Sequence, residues 1–379
     1  MRFRFDPEHD ELRRTLRRLL TESAGALDVI SRASLPTASD HKLTARLARE
    51  IGVHGLCVPE RLGGAGFGMV ELGVVFQEAG RAALGAPLLS PALATGLLLE
   101  SVEDDTSGSL LRRIAAGELL AAAAIAEGPL GWDAVPATAA APSAAGWTLT
   151  GTKEWVPDGW QAGLLIVSAM SPAGPALFAV EARSPGLTVE PVRTIDISRR
   201  FARVRMDNVP ALAIRTPDAT AAIRRARDRG LVLLCADHVG IAQQCLAMAT
   251  AWAKQREQFG RTIGSFQAVK HKLASVQLEL EAAESACLYA LWAAQEAPAE
   301  LPTVAPIAAH TCAEAAMLAA GENIQVHGGI GATWEHPAHV YLRRATLGRR
   351  LLADPQALQE DLAQVIEDSV FVSTVAPAL

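Results

Sequence analysis

The apolar positions divide the chain into three textures. Up to about residue 120 the pattern is helical: Leu12, Leu16, Leu19 and Leu20 recur at helix spacing, with Arg13, Arg14, Arg17 and Arg18 on the other side. Such a stripe predicts a helix that buries its leucines and leaves the arginine rows as a solvated face. The stretch VPERLGGAGFG, from Val58 to Gly68, breaks this pattern with four glycines and predicts a loop, one that lacks the lysine of a phosphate-cradling P-loop. From about 121 to 212, alanine, proline and glycine punctuate short apolar runs at Trp147 to Thr150, Leu164 to Val167 and Leu177 to Val180. Ala202 to Asp207 alternates apolar and polar residues with period two, so this segment predicts a small antiparallel sheet or barrel.

Helical periodicity then returns. Thr216-Pro217-Asp218 reads as a helix start, a cap followed by proline and an acid in the first turn. Leu231, Leu234, His238, Ile241, Cys245, Met248 and Trp252 hold one face until Gly260. Ser265 can cap a second helix with Val269, Leu273, Val276, Leu280, Cys287 and Leu291 inward, stopping before Pro298. A third runs from near Thr303 to His327, where Gly328 and Gly329 can close it, and Asp354-Pro355 starts a last one. Long helices with short connections predict a four-helix bundle. The fold class expected is therefore mainly α with a central β domain: a helical domain over 1–120, a β domain over 121–212 and a helical bundle over 213–379.

Composition narrows the functional classes. A length of 379 residues suits two or three domains, and a 50% apolar content suits a folded globular protein. No apolar run reads as long enough to cross a bilayer, so no membrane association is expected. The arginine-rich start is interrupted by Asp6, Glu8, Asp10 and Glu11 and is followed by no apolar segment of the secretory type. Five cysteines, Cys57, Cys235, Cys245, Cys287 and Cys312, are scattered without metal spacing and predict free thiols in a reducing, cytoplasmic setting. A formal charge of -6 gives no general attraction for nucleic acid.

Two segments carry distinctive chemistry. KQREQFGRTIGSFQ, from Lys254 to Gln267, sets an arginine, amides and two aromatics at a helix-helix turn, and QVHGGIGATWEHP runs from Gln325 to Pro337. Together with the loop PERLGGAGFG, Glu71 and the segment EAGRA from Glu78 to Ala82, they resemble the acyl-CoA dehydrogenase family over essentially the whole chain. The resemblance implies the fold of that family and FAD as cofactor. It also implies α,β-dehydrogenation of an acyl-CoA thioester, with electron-transfer flavoprotein as acceptor.

It further implies that the R-x-Q-F-G turn and the Q-x-x-G-G segment reach across a subunit interface to FAD held by a neighbour. Arg256 then meets the pyrophosphate through bidentate, charge-assisted hydrogen bonds. Gln258 and Gln325 satisfy polar edges, Phe259 covers an aromatic ring, and Gly328 and Gly329 bring bare backbone N–H groups close. Trp155 keeps the tryptophan of a flavin-contacting segment. On spacing alone, Gly328-Gly329 also reads as a helix stop and Phe259 as core.

The chain departs from the family where a flavin would be held and attacked from within. Relatives carry T-E-P-x-x-G-S-D where this chain has Ala126-Glu127-Gly128-Pro129-Leu130-Gly131-Trp132-Asp133, and W-I-T or W-I-S where it has Trp155-Val156-Pro157. Proline offers neither a hydroxyl nor a backbone N–H. The family's glutamate base occupies one of two positions. Counting from the motifs lands on Leu351-Leu352-Ala353 and on Gly230, neither with a carboxylate.

Asp354 reads as a helix cap. Asp237, two turns beyond Gly230, is the catalytic candidate that remains, and it can equally pair an arginine or line an interface. His238 and His327 read as core or interface histidines. Arg343-Arg344 and Arg349-Arg350 read as a solvated face or a subunit salt bridge, with phosphates as the alternative.

This sorting of losses resembles actinobacterial-type acyl-CoA dehydrogenases built as hetero-oligomers of two related chains, one of which carries the base and which often act on steroid-side-chain thioesters. A self-sufficient homo-oligomer using Asp237 is the alternative, and a DNA-binding family member a third.

Overall fold

The computed structural model describes residues 6–23, 26–31, 41–102, 104–128, 132, 135–144, 146–360 and 362–363. Its helices before the sheet are α1 (Pro7–Ser23), α2 (Ala26–Ser31), α3 (His41–Arg46), α4 (Met69–Arg81), α5 (Leu89–Leu99) and α6 (Asp105–Ala115). Leu16, Leu19 and Leu20 of α1 are buried as the stripe predicts. The arginine row is not simply solvated: Arg17 grips both oxygens of Glu78 at 2.8 and 2.9 Å, and Arg13 Nε lies 3.5 Å from it. Glu78 is buried on α4, and a buried carboxylate requires such partners. Arg14, paired with Glu11, and the exposed Arg18 follow the solvated reading.

The sheet comprises β1 (Ala121–Ala124), β2 (Ala139–Ser143), β3 (Gly146–Pro157), β4 (Leu164–Ser171), β5 (Gly174–Glu181), β6 (Leu187–Val192) and β7 (Phe201–Ile214). Pairings β4–β2–β3–β7–β5–β4 close on themselves, a barrel with β1 added beside β4 and β6 beside β7. Most pairs are antiparallel, as expected, but β1 and β2 both meet β4 in parallel. Strand β4 is buried on two faces: Leu165 and Val167 point into the barrel, while Leu164 and Ile166 enter the larger helical core. Strands β1 and β5 divide in the same way, Ala122 and Phe178 inward, Ala123 and Leu177 outward. Strands buried on both faces read as continuous apolar runs, which explains why period-two alternation is plain only in β7.

The last part holds α7 (Ala219–Gln255), the hairpin β8 (Glu257–Gln258) and β9 (Arg261–Thr262), α8 (Gln267–Glu296), α9 (Leu301–His327) and α10 (Ala338–Gly348). Helix α7, 37 residues and about 55 Å long, packs against α4, α8, α9 and α10 and ties the two helical parts into one core.

Two predicted caps are displaced. Asp218, not Thr216, caps α7, because its carboxylate accepts from the Ala221 N–H at 2.9 Å. Ser265 does not cap α8: its hydroxyl donates to the Thr262 carbonyl at 2.7 Å, and Phe266 occupies the cap position. Gly328 closes α9, and Asp354 accepts from the Gln356 N–H at 2.8 Å, the cap role read for it.

The expectation that no apolar segment could span a bilayer is corrected for two helices. Ala219–Gln255 and Leu301–Ala332 are long and apolar enough by length and composition. Their apolar windows are 72% and 56% buried within the fold.

Candidate functional site

Two parts of the molecule carry the residues singled out above. The first begins where α7 ends. Arg256 leaves the helix in an extended conformation, and Glu257–Thr262 and Gln258–Arg261 pair as a two-residue hairpin. Its turn residues Phe259 and Gly260 have φ of 53° and 73°, the left-handed pair that such tight hairpins require. Glycine adopts this readily, whereas phenylalanine does so at a cost.

The Phe259 ring is 92% exposed, so it is not a core residue; it touches Phe266 edge-on at 6.2 Å. Arg261 lies 4.0 Å above that same Phe266 ring. The Arg256 side chain is exposed and has no hydrogen-bond or ion-pair partner among the described residues. Gln258 donates only to the Glu257 carbonyl, at 2.8 Å.

The end of α9 is brought alongside. Trp252 of α7 stacks on His327 of α9, 5.1 Å between centroids at 27°. Ala249, Ala253 and Val326 form a small core beneath them, joined by Ile263 after the hairpin. His327 Nδ1 donates to the Asn323 carbonyl at 2.8 Å, so it is a structural histidine, as read. Gln325 is exposed in the last turn, and Gly328 and Gly329 are exposed beyond it. A Cβ on either glycine would meet nothing within 4 Å. Gly328 is explained by its φ of 67°, but no internal contact requires Gly329 to be bare. The two motifs therefore meet at one end of the bundle and present an arginine, two amides, a ring and open backbone to the outside.

The second part is buried, and Asp237 is at its centre, 1% exposed. Arg199 Nη2 reaches its Oδ2 at 2.6 Å and Arg344 Nη2 its Oδ1 at 2.5 Å. Arg344 also donates to the Leu84 carbonyl at 2.9 Å and to Ser198 Oγ at 2.7 Å. Burial by itself would raise the Asp237 pKa, but the two guanidinium charges outweigh it and hold it down at about 2. A carboxylate so held is a poor proton acceptor, and the arginine-pairing reading of Asp237 is the one its geometry fits. Arg344 is correspondingly neither a solvated nor a subunit-facing residue. Arg349 pairs with Glu314 at 3.0 Å, and Arg343 lies 5.2 Å from the Trp334 ring.

Beside this cluster, Ser90 Oγ donates to the Pro157 carbonyl in a short hydrogen bond. Pro157, Asp158, Phe201, Asp237 and Arg344 border a small cavity of about 30 Å³, room for water. Trp155, with φ 53°, packs edge-on against Phe201 at 6.5 Å and belongs to the main core, not to the small core under the hairpin.

Sequence reasoning passed over Asp158. Burial raises its pKa to about 7 against the pull of Gln161, Arg199 and Arg200, and its φ of 53° offers the nearest thing to a signal only once the backbone is known. His238 is a buried core residue, neutral because burial lowers its pKa to about 4.

The two positions counted for a base come together in space. A Cβ placed on Gly230 would lie 2.5 Å from Leu352 Cδ1 and 2.7 Å from Leu93 Cδ2. Leu352 has φ 71°, unusual for leucine. Where both routes converge, the nearest atoms among the described residues are leucine carbons. Of the segment beginning at Ala126, Glu127 is tied inward by buried Lys153 at 2.5 Å, and Pro129, Leu130, Gly131 and Asp133 lie outside the described residues.

Comparison with known proteins gives this arrangement a lineage. IpdE2, an acyl-CoA dehydrogenase of Mycobacterium tuberculosis, is 30% identical over 362 residues, 96% of this chain and 98% of that one. The Tcur3481-Tcur3483 steroid ACAD has a chain that superposes with a TM-score of 0.85 at 31% identity, covering 96% of this chain and 98% of that one. A chain of the ChsE4-ChsE5 complex from Mycobacterium tuberculosis gives 0.82 at 24% identity over 100% of both chains, a likeness of fold alone. Residues 6–118 match the acyl-CoA dehydrogenase N-terminal domain and residues 221–351 its C-terminal domain. With helical parts, barrel and paired motifs all agreeing, the chain belongs to the acyl-CoA dehydrogenase family.

Proposed function

We propose that this chain is the assisting subunit of a heteromeric acyl-CoA dehydrogenase. In this reading it lends its exposed edge to an FAD held mainly by a related second chain, and the thioester is oxidised there. The observation that carries the reading is the contrast between an outward edge where the exposed Arg256 has no partner among the described residues and an inner cleft where Asp237 is held by Arg199 and Arg344. The names of two relatives with similar folds, the Tcur3481-Tcur3483 steroid ACAD and the ChsE4-ChsE5 complex, join two components each.

The residues present fit a flavin dinucleotide at the edge. Arg256 can neutralise a pyrophosphate with a planar, two-pronged donor. Gln258 and Gln325 can meet polar ring edges, the exposed Phe259 ring can cover a flat surface, and Gly329 leaves backbone N–H groups accessible. They do not fit in the inner cleft. The 30 Å³ space beside Pro157 cannot take a three-ring system, and Pro157 has no donor to offer one. The atoms nearest a Cβ placed on Gly230 are side-chain carbons of Leu352 and Leu93, not a carboxylate.

FAD, when bound, supplies the acceptor for the hydride leaving the thioester β-carbon, and an electron-transfer flavoprotein is the acceptor that family resemblance suggests next. The contribution of this chain is to bind, orient and exclude water. The homo-oligomeric reading with Asp237 as base is disfavoured by its two arginine partners. Flavin absorbance per protein, measured on the chain alone and after co-expression with its related chain, tests the choice. We expect a colourless preparation alone and about one flavin for every two chains in the complex. A fully loaded, active protein from this chain alone overturns the reading.

A further inference from the structure

The chain leaves α9 at Gly328, and by His336 it has returned to the end of the same helix: the His336 and His327 rings lie 4.3 Å apart at 40°. His327 therefore touches two rings, Trp252 of α7 and His336 of the loop. Nearer α10, Trp334 of the loop meets His339 edge-on at 4.8 Å. Backbone bonds inside the loop are local, with the Thr333 and His336 N–H groups donating to the Ile330 and Thr333 carbonyls at 3.1 and 3.4 Å. Ring contacts join the loop to the helices, together with the close approach of Gly331, where a Cβ would lie 3.0 Å from His327 Cβ.

Both ring contacts of the loop include a histidine. His336 Nδ1 accepts from the Ala338 N–H at 3.2 Å, so the ring is neutral while that bond stands and its proton sits on Nε2. Ala338 is the first residue of α10, and an N–H there finds no acceptor within the helix. His336 supplies one. Protonation puts a hydrogen on Nδ1 and takes that acceptor away.

The surroundings oppose the charge as well. Burial lowers the His336 pKa, and the charges that His327 and His339 can carry lower it further. His339 is itself buried, with neither ring nitrogen hydrogen-bonded among the described residues, and burial and the Arg343 charge lower its pKa too. The titratable and charged groups around His336 are thus His327 of α9 and His339 of α10, with Arg343 behind the latter, and none of these is acidic. Trp252, the α7 residue on His327, carries no charge. The packed loop therefore binds fewer protons than a released one. Its attachment is complete at neutral pH and weakens as pH falls below about 6.5.

We propose that His336 is an acid-released latch on the loop between α9 and α10: neutral, it holds the segment after Gly328 and Gly329 against the end of α9; protonated, it gives up the Ala338 N–H and the His327 ring and frees the loop. The latch is a property of this chain alone. Its consequence for flavin rests on the subunit role proposed above: acid loosens the glycine side of the edge and leaves the Arg256 hairpin in place.

The test is amide hydrogen exchange of the full chain between about pH 7 and 5.5, corrected for the intrinsic pH dependence of exchange and read over residues 328–338. We expect opening of this segment to increase by up to about tenfold per pH unit, the response to uptake of one proton, while the middle of α7 stays protected. His336→Asn, whose carboxamide oxygen can still accept from the Ala338 N–H but does not titrate, should hold the loop equally at both ends of the range. His336→Ala should leave it open throughout. Loop exchange in the wild type that does not respond to pH, a response that survives His336→Asn, or full protection in His336→Ala each overturns the latch. In the co-expressed complex, flavin release should quicken severalfold over the same range and not in His336→Asn; a latch that opens with flavin release unchanged keeps the latch and counts against the subunit role.

Discussion

The hairpin end of the bundle and the cleft around Asp237 are built from similar side chains put to opposite use. At the hairpin, Arg256 and Phe259 stand exposed, and the guanidinium has no internal partner. In the cleft, Arg199 and Arg344 are spent on one aspartate, and Arg344 also holds Ser198 and the Leu84 carbonyl. An arginine whose charge is already matched by a buried carboxylate of its own fold is held in place there and is a poor partner for a ligand. One that the fold leaves free is available to something outside. The contrast separates residues that hold this chain together from residues that reach beyond it.

The sharpest way to break this contrast is Asp237→Ala. If Asp237 is structural, its removal leaves two guanidinium groups without their shared carboxylate, and we expect a loss of about 3–5 kcal/mol in chemical denaturation. Asp237→Asn, in preparations that remain folded, should leave dehydrogenase turnover of the complex unchanged; selective loss of turnover would restore Asp237 as the base.

The second prediction concerns Asp158. Its folded pKa of about 7 lies above the ordinary carboxylate value, so the native state binds the extra proton between about pH 4 and 7. Stability from this group is complete at acid pH and is lost as pH rises through 7, by up to about 4 kcal/mol as an upper bound. Asp158→Asn should flatten that slope in denaturation curves recorded from pH 4 to 8. An unchanged slope would assign the pH dependence elsewhere.

Third, Arg256→Ala should weaken flavin retention by the co-expressed complex by about ten- to a hundredfold, the worth of a charge-assisted pair of about 1.5–3 kcal/mol. The same change should leave the denaturation midpoint of the isolated chain in place. Last and smallest, Phe259→Ala should alter the stability of the isolated chain by no more than about 0.5 kcal/mol, since its ring is exposed. A larger loss would show the hairpin to be structural.

The outward site was legible because its parts are local. Arg256 to Arg261 fold into a hairpin from the left-handed tendency of one glycine and the end of one helix, and Gly328 stops α9 within a few residues of Gln325. That the two lie side by side depends on Trp252 meeting His327, which sequence spacing could only suggest by resemblance. The inner cluster was not legible. Arg199 and Arg344 stand 38 and 107 positions from Asp237, and neither motif nor periodicity couples them. Strand direction around β1 and β4 was hidden for a related reason, because residues buried on both faces erase the alternation that marks a sheet.

By itself the sequence determined the succession of helical, β and helical parts, the hairpin motif and the missing carboxylates at Gly230 and Leu352. These follow from local periodicity, turn chemistry and residue identity. Only the tertiary structure decided that Asp237 is caged, that Gly230 and Leu352 share one apolar contact, and that Phe259 points away from the core. Those outcomes depend on which distant surfaces exclude water from one another, and burial of that kind is a property of the packed molecule, not of any one stretch of it.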